Sequence, residues 1–74
     1  MKNWIDITKE LPPYTDLYIV YCKVKDRKGN YTDVRAYNYK KIDGINDYWQ
    51  IPENPNEIVE ITHWMELPDE PKEG

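Results

Sequence analysis

The sequence predicts a small, mainly β protein: an antiparallel sheet of about four strands with short irregular or helical flanks. Three observations carry this. "LYIVYCKVK" is rich in β-branched and aromatic residues and holds no Gly or Pro. "YTDVRAYNYKK" answers it after a Gly29-Asn30 turn signal, and "IVEITHWM" supplies a third alternating run that ends near Pro68. A β-rich α+β arrangement stays open, because the opening segment carries both helical and extended features.

That segment, "NWIDITKELPP", sets Trp4, Ile7 and Leu11 at helical spacing, yet Ile5, Ile7 and Thr8 are β-branched. A short strand with a turn and a single helical turn fit it equally. Pro12-Pro13 ends either one, since a residue before proline is pushed out of the helical region. In the first long strand Tyr18, Val20, Cys22 and Val24 point one way, and Leu17, Ile19, Tyr21 and Lys23 the other. Both faces start apolar, which places the strand centrally.

"DRKGN" reads as a hairpin loop of three to five residues. Beyond it, Thr32, Val34 and Ala36 share one face. Tyr31, Asp33, Arg35, Tyr37 and Tyr39 form an aromatic-polar face suited to solvent, interface or ligand. "IDGINDYWQIPENPNE" is rich in turn residues and encloses a short strand, Asp47 to Ile51. In the last strand, alternation puts Val59, Ile61, His63 and Met65 inward and Ile58, Glu60, Thr62 and Trp64 outward. The chain thus reads as one domain over 1–74, with an N-terminal segment (1–13), a sheet (17–65) and a mobile acidic tail (68–74).

Composition bounds the function. A chain of 74 residues buries only roughly 60% of its unfolded surface, so the core is marginal. The single cysteine excludes a disulfide, and one His with one Cys cannot build a structural zinc site. Three Trp and seven Tyr, with no Phe, supply large side chains with polar tips that suit interfaces. A homo-oligomer is therefore expected. The net charge of −4 argues against general nucleic-acid binding. No run approaches the roughly 20 apolar residues of a membrane span, and no apolar leader follows Met1. The expected location is the cytoplasm.

No catalytic signature emerges. His63 lies on a face expected to be buried, and Cys22 sits mid-strand among apolar residues, where cysteine acts as a small hydrophobe. No metal-ligand spacing and no phosphate-cradling glycine loop occur, so neither enzyme chemistry, metal nor cofactor is expected. A binding surface is better supported. Arg35, Tyr37, Tyr39, Trp49, His63 and Trp64 are the candidate wall, with Arg35 as charged contact, because aromatic planes beside an arginine stack flat rings. Lys23, Lys25, Arg27 and Lys28 add local positive charge near the hairpin.

The order "NWIDITKELPP", "LYIVY", "VRAYNY", "DYWQI" and "ITHWMELPDEP" resembles the phage and prophage family known as domain of unknown function 551. The resemblance runs from Trp4 to Pro71, and its closing motif comprises Thr62, His63, Trp64, Met65, Leu67, Pro68 and Pro71. Trp49 matches the tryptophan after the family's turn-rich segment, whereas Glu66 stands where many members have proline. The resemblance implies a phage or prophage origin and a compact β-rich fold, and it supplies no catalytic residue. The expected function is non-enzymatic: a phage-encoded binding protein that counters host defence by sequestering a small anionic, nucleotide-like ligand at an aromatic pocket or oligomer interface. The alternatives are inhibition of a host protein by direct contact, and a structural role in the particle.

Overall fold

The computed structural model describes residues 3–68; the expected acidic tail, Pro68 apart, lies outside them. Five strands form one sheet: β1 (Ile5–Asp6), β2 (Asp16–Asp26), β3 (Gly29–Lys40), β4 (Tyr48–Gln50) and β5 (Glu57–Glu66). Their order is β1-β5-β2-β3-β4, and every neighbouring pair is antiparallel. The described residues contain no helix, so the fold is mainly β, with one strand more than the expected four. The extra strand is β1, where Ile5 pairs with Trp64 and Asp6 with His63. Its turn is held by the Asp6 carboxylate, whose Oδ1 accepts the Thr8 N–H at 2.9 Å and the Thr8 hydroxyl at 2.7 Å.

β2 lies at the centre, between β5 and β3. The β2–β3 pairing runs from Asp16↔Tyr39 to Asp26↔Gly29, so the hairpin turn is only Arg27-Lys28. This is shorter than the expected loop, because backbone pairing continues through Asp26 and Asn30, where apolar alternation has stopped. Gly29 has a φ of 138°, a backbone state that L side chains rarely adopt, and Asp26 Oδ1 accepts the N–H groups of Lys28 and Gly29.

Directly paired residues share a sheet face. Tyr18↔Tyr37, Val20↔Arg35 and Cys22↔Asp33 therefore put the aromatic-polar row of β3 on the same face as the apolar row of β2. This inner face holds the core: Tyr18, Val20, Tyr37, Tyr39 and Trp64 are buried, with Ile5, Ile7, Trp49, Val59 and Ile61 packed against them. The segment after β1 crosses over this face. Pro12 is fully buried, Trp64 Nε1 donates to the Glu10 carbonyl at 2.8 Å, and the Tyr18 hydroxyl donates to the Tyr14 carbonyl at 2.9 Å.

One irregularity decides the faces of β5. Along β2 the register passes from Tyr21↔His63 to Cys22↔Ile61, so Thr62 is an extra residue in a β-bulge. A one-residue slip exchanges the two faces. Trp64 consequently turns inward and His63 outward, the reverse of the strict alternation expected from the sequence. The Thr62 hydroxyl donates to the Tyr21 carbonyl at 3.1 Å, which gives that group a partner at the irregularity.

The β3–β4 loop is organised by Asp47. Its Oδ1 accepts N–H groups of Ile42, Asp43 and Gly44, while Oδ2 accepts the Tyr39 hydroxyl at 3.0 Å and meets Lys41 Nζ at 3.1 Å. At the sheet margins, β1 pairs only with His63 and Trp64 of β5, and β4 pairs only with Asn38 to Lys40 of β3.

Candidate functional site

The structure brings five of the six candidate wall residues together on the inner face, but packs them as core. Tyr37, Tyr39 and Trp64 are 8%, 2% and 1% exposed. Tyr39–Trp49, Tyr18–Trp49 and Tyr18–Trp64 meet edge-on, with ring centroids 4.9, 6.2 and 5.2 Å apart. Such tilted contacts suit a filled aromatic core. Trp49 Nε1 is buried and finds no hydrogen-bond partner among the described residues.

Arg35 is also committed. Its Nε donates to Asp33 at 2.8 Å, Nη1 to Glu57 Oε1 and the Tyr37 hydroxyl, and Nη2 to Glu57 Oε2 and the Tyr31 hydroxyl. A guanidinium has five N–H donors, and all five are spent. The bidentate Arg35 contact holds Glu57 below the usual carboxylate range, and Asp33 is lowered by the same cation. One cation faces two carboxylates, so this cluster offers an incoming anion no net attraction.

His63 stands apart from the other five. It lies on the outer face, opposite Tyr21 of β2 and Asp6 of β1. Cys22 faces the inner side, so the sheet separates it from His63. The thiol is fully buried, approaches the Asp33 carbonyl at 3.5 Å, and has its pKa raised by burial. No group of three or more His, Cys, Asp or Glu among the described residues is placed to hold a metal ion.

Around His63 the outer face forms an open aromatic notch. Trp4, Tyr21 and His63 line a volume of about 180 Å³. The Trp4 and Tyr21 rings are tilted 55° with centroids 5.8 Å apart, and Tyr21 and His63 meet at 6.3 Å and 68°. His63 Nδ1 lies 2.9 Å from Thr62 Oγ1. Thr62 has one hydroxyl proton, already given to Tyr21, so Nδ1 is the donor in this contact. Asp6 stays ionised at the notch rim, its pKa lowered chiefly by the Thr8 hydroxyl and N–H, with a smaller contribution from His63.

The notch continues into an apolar surface. Met65, Ile19 and Ala36 form one cross-strand row, and His63, Tyr21 and Val34 the next. Beyond them come Glu60, Lys23 and Thr32, so the charges flagged near the hairpin partly belong to this face. Sequence reading missed Trp4, Tyr21 and Asp6 as a group. Their common signal is the pairing of β1 with the "THW" stretch, which alternation within one strand does not encode.

A single antiparallel sheet with one face sealed by its own aromatics and the other open defines a small β-sheet domain. The chain belongs to the family described as protein of unknown function, DUF551, whose model matches residues 3–72. A 42-residue stretch, 57% of this chain, is 38% identical to a sulfate adenylyltransferase of Mycosarcoma maydis, and it spans 7% of that enzyme. So small a share of the enzyme carries no argument about activity. No solved structure matches the chain. Among the described residues, no helix is long and apolar enough to cross a membrane.

Proposed function

We propose that the protein is a phage-encoded, non-enzymatic binding protein that acts in the host cytoplasm by laying its outer sheet face on a host protein. One observation carries this reading: the inner aromatics are consumed in the core, whereas two apolar cross-strand rows and the Trp4–Tyr21–His63 notch lie open on the other side. Exposed contiguous apolar surface with aromatic anchors marks protein interfaces. Capture of a nucleotide-like anion is supported less well. Arg35 has no donor to spare, and about 180 Å³ falls below the roughly 300–1,000 Å³ of pockets that enclose such ligands.

Self-association through the same face is a second reading, favoured by the distribution of charge. The acids Asp16, Asp33, Asp47, Glu57 and Glu66 belong to the inner side or its loops, while the outer face mixes Lys23, Lys25 and Lys40 with Asp6 and Glu60. Outer faces can meet without bringing the acidic excess together.

Affinity purification from host lysate tests the proposal with three forms of the protein. Wild type and the distant surface variant Ile45→Glu should retain one stoichiometric protein, and Val34→Glu should lose it. Recovery of none, or equal retention by Val34→Glu, overturns the reading.

A further inference from the structure

Asp6 stands beside the outer-face notch, paired across the strands with His63, and has an acceptor to offer. Asp6 Oδ1 takes both Thr8 donors, and among the described residues no protein donor reaches Oδ2. The His63 ring is its neighbour, with Nδ1 engaged by Thr62. The walls are the tilted rings of Trp4 and Tyr21. Asp6 and His63 are a directly opposed cross-strand pair, so their side chains stand roughly 5 Å apart at Cβ on the same face as the rings. A notch with a carboxylate beside it and aromatic walls suits a ligand that is cationic and flat.

Resting on the reading of this face as a protein-docking surface, we propose that the notch is the specificity site for one arginine side chain of the partner. A guanidinium fits each feature in turn. Its N–H donors match the open Oδ2 of Asp6, and its plane stacks on aromatic rings. Its charge pairs with Asp6 and gains from the faces of Trp4 and Tyr21. A volume of about 180 Å³ suits the end of a single side chain better than a whole small-molecule ligand. Lys9, close enough to act on Asp6, makes no ion pair with it and leaves the carboxylate available. The arginine comes from another molecule, since the donors of Arg35 are spent and Arg27 lies in the hairpin turn, six residues along the chain from Tyr21.

The test titrates the full-length protein with acetyl-Gly-Arg-Gly-amide and follows the ring signals of Trp4, Tyr21 and His63 by NMR. The control peptide replaces arginine with citrulline, which keeps the shape and removes the charge. The expected result is saturable shifts confined to the notch, with citrulline binding about tenfold weaker, as loss of one charge-assisted contact implies. Asp6→Asn, which keeps an acceptor for Thr8, should weaken the arginine peptide by a similar factor. Citrulline binding within twofold of arginine, an unchanged Asp6→Asn titration, or no saturable shift overturns the assignment. If the peptide fails while Val34→Glu still loses the lysate partner, only this inference falls. If Val34→Glu keeps the partner, the docking face itself is wrong.

Discussion

Thr62 gives its hydroxyl proton to the carbonyl of Tyr21, 3.1 Å away, at the one register shift between β5 and β2. That bond sits where the strand changes which face each side chain serves. Thr62→Val should lower stability by about 1 kcal/mol, the net worth of a hydrogen bond, while Thr62→Ser should retain most of it. Urea unfolding at neutral pH measures both. Equal stability of wild type and Thr62→Val would show that the bulge is held without the hydroxyl.

Trp64 and Trp4 are adjacent to the same strand pair yet should behave oppositely. Trp64 is buried and donates to Glu10, so Trp64→Ala should cost about 3–5 kcal/mol, enough to unfold much of so small a domain. Trp4 is 38% exposed, and Trp4→Ala should shift the thermal midpoint far less. Parallel melting curves by circular dichroism decide the matter.

Alkaline stability depends on Tyr39. Burial, followed by its bond to Asp47, pushes its pKa up to about 12 from an ordinary value near 10. A raised folded-state pKa contributes stability below the unfolded value and loses it as pH rises, so the chain should weaken between about pH 10 and 12. Tyr39→Phe removes this ionisation and should flatten the loss in that window, measured by denaturation at stepped pH.

Acid should act through the carboxylates with lowered pKa values. Asp47 is held down chiefly by the Ile42 N–H and Glu57 by Arg35. Groups with depressed folded pKa stabilise above their unfolded values and lose that contribution as pH falls through the folded ones. Stability should therefore decline progressively below about pH 4. Glu57→Gln should show a shallower decline than wild type across that range.

Cys22 should resist modification. Its thiol is buried and its pKa raised, so iodoacetamide at pH 8 should label it only at the rate of unfolding and promptly in denaturant. Fast, pH-dependent labelling of the folded chain, read by intact mass, would contradict this placement.

Much of this architecture is legible in the sequence. The Tyr18, Val20, Cys22 and Val24 row is an unbroken alternation, and it forms the buried side of β2 as expected. Grouping Arg35, Tyr37 and Tyr39 was also readable, but their role was not, because charged Asp33 and Arg35 disguise a row whose polar groups satisfy one another. The exchange of His63 and Trp64 was hidden by the bulge, which adds a residue without a Gly or Pro to mark it. The notch was hidden for another reason: Trp4 reaches Tyr21 only after β1 has docked on β5.

The brevity of β1 and β4 has a consequence for how the molecule keeps its own kind at a distance. A long strand flanked by a two- or three-residue neighbour leaves backbone donors and acceptors free to template another chain. On β5 that exposed stretch carries Glu57 and Glu60, and on β3 it carries Asp33 and Arg35. Charge at these margins disfavours endless strand addition, so the sheet is finished by electrostatic gatekeepers where a barrel would be finished by closure.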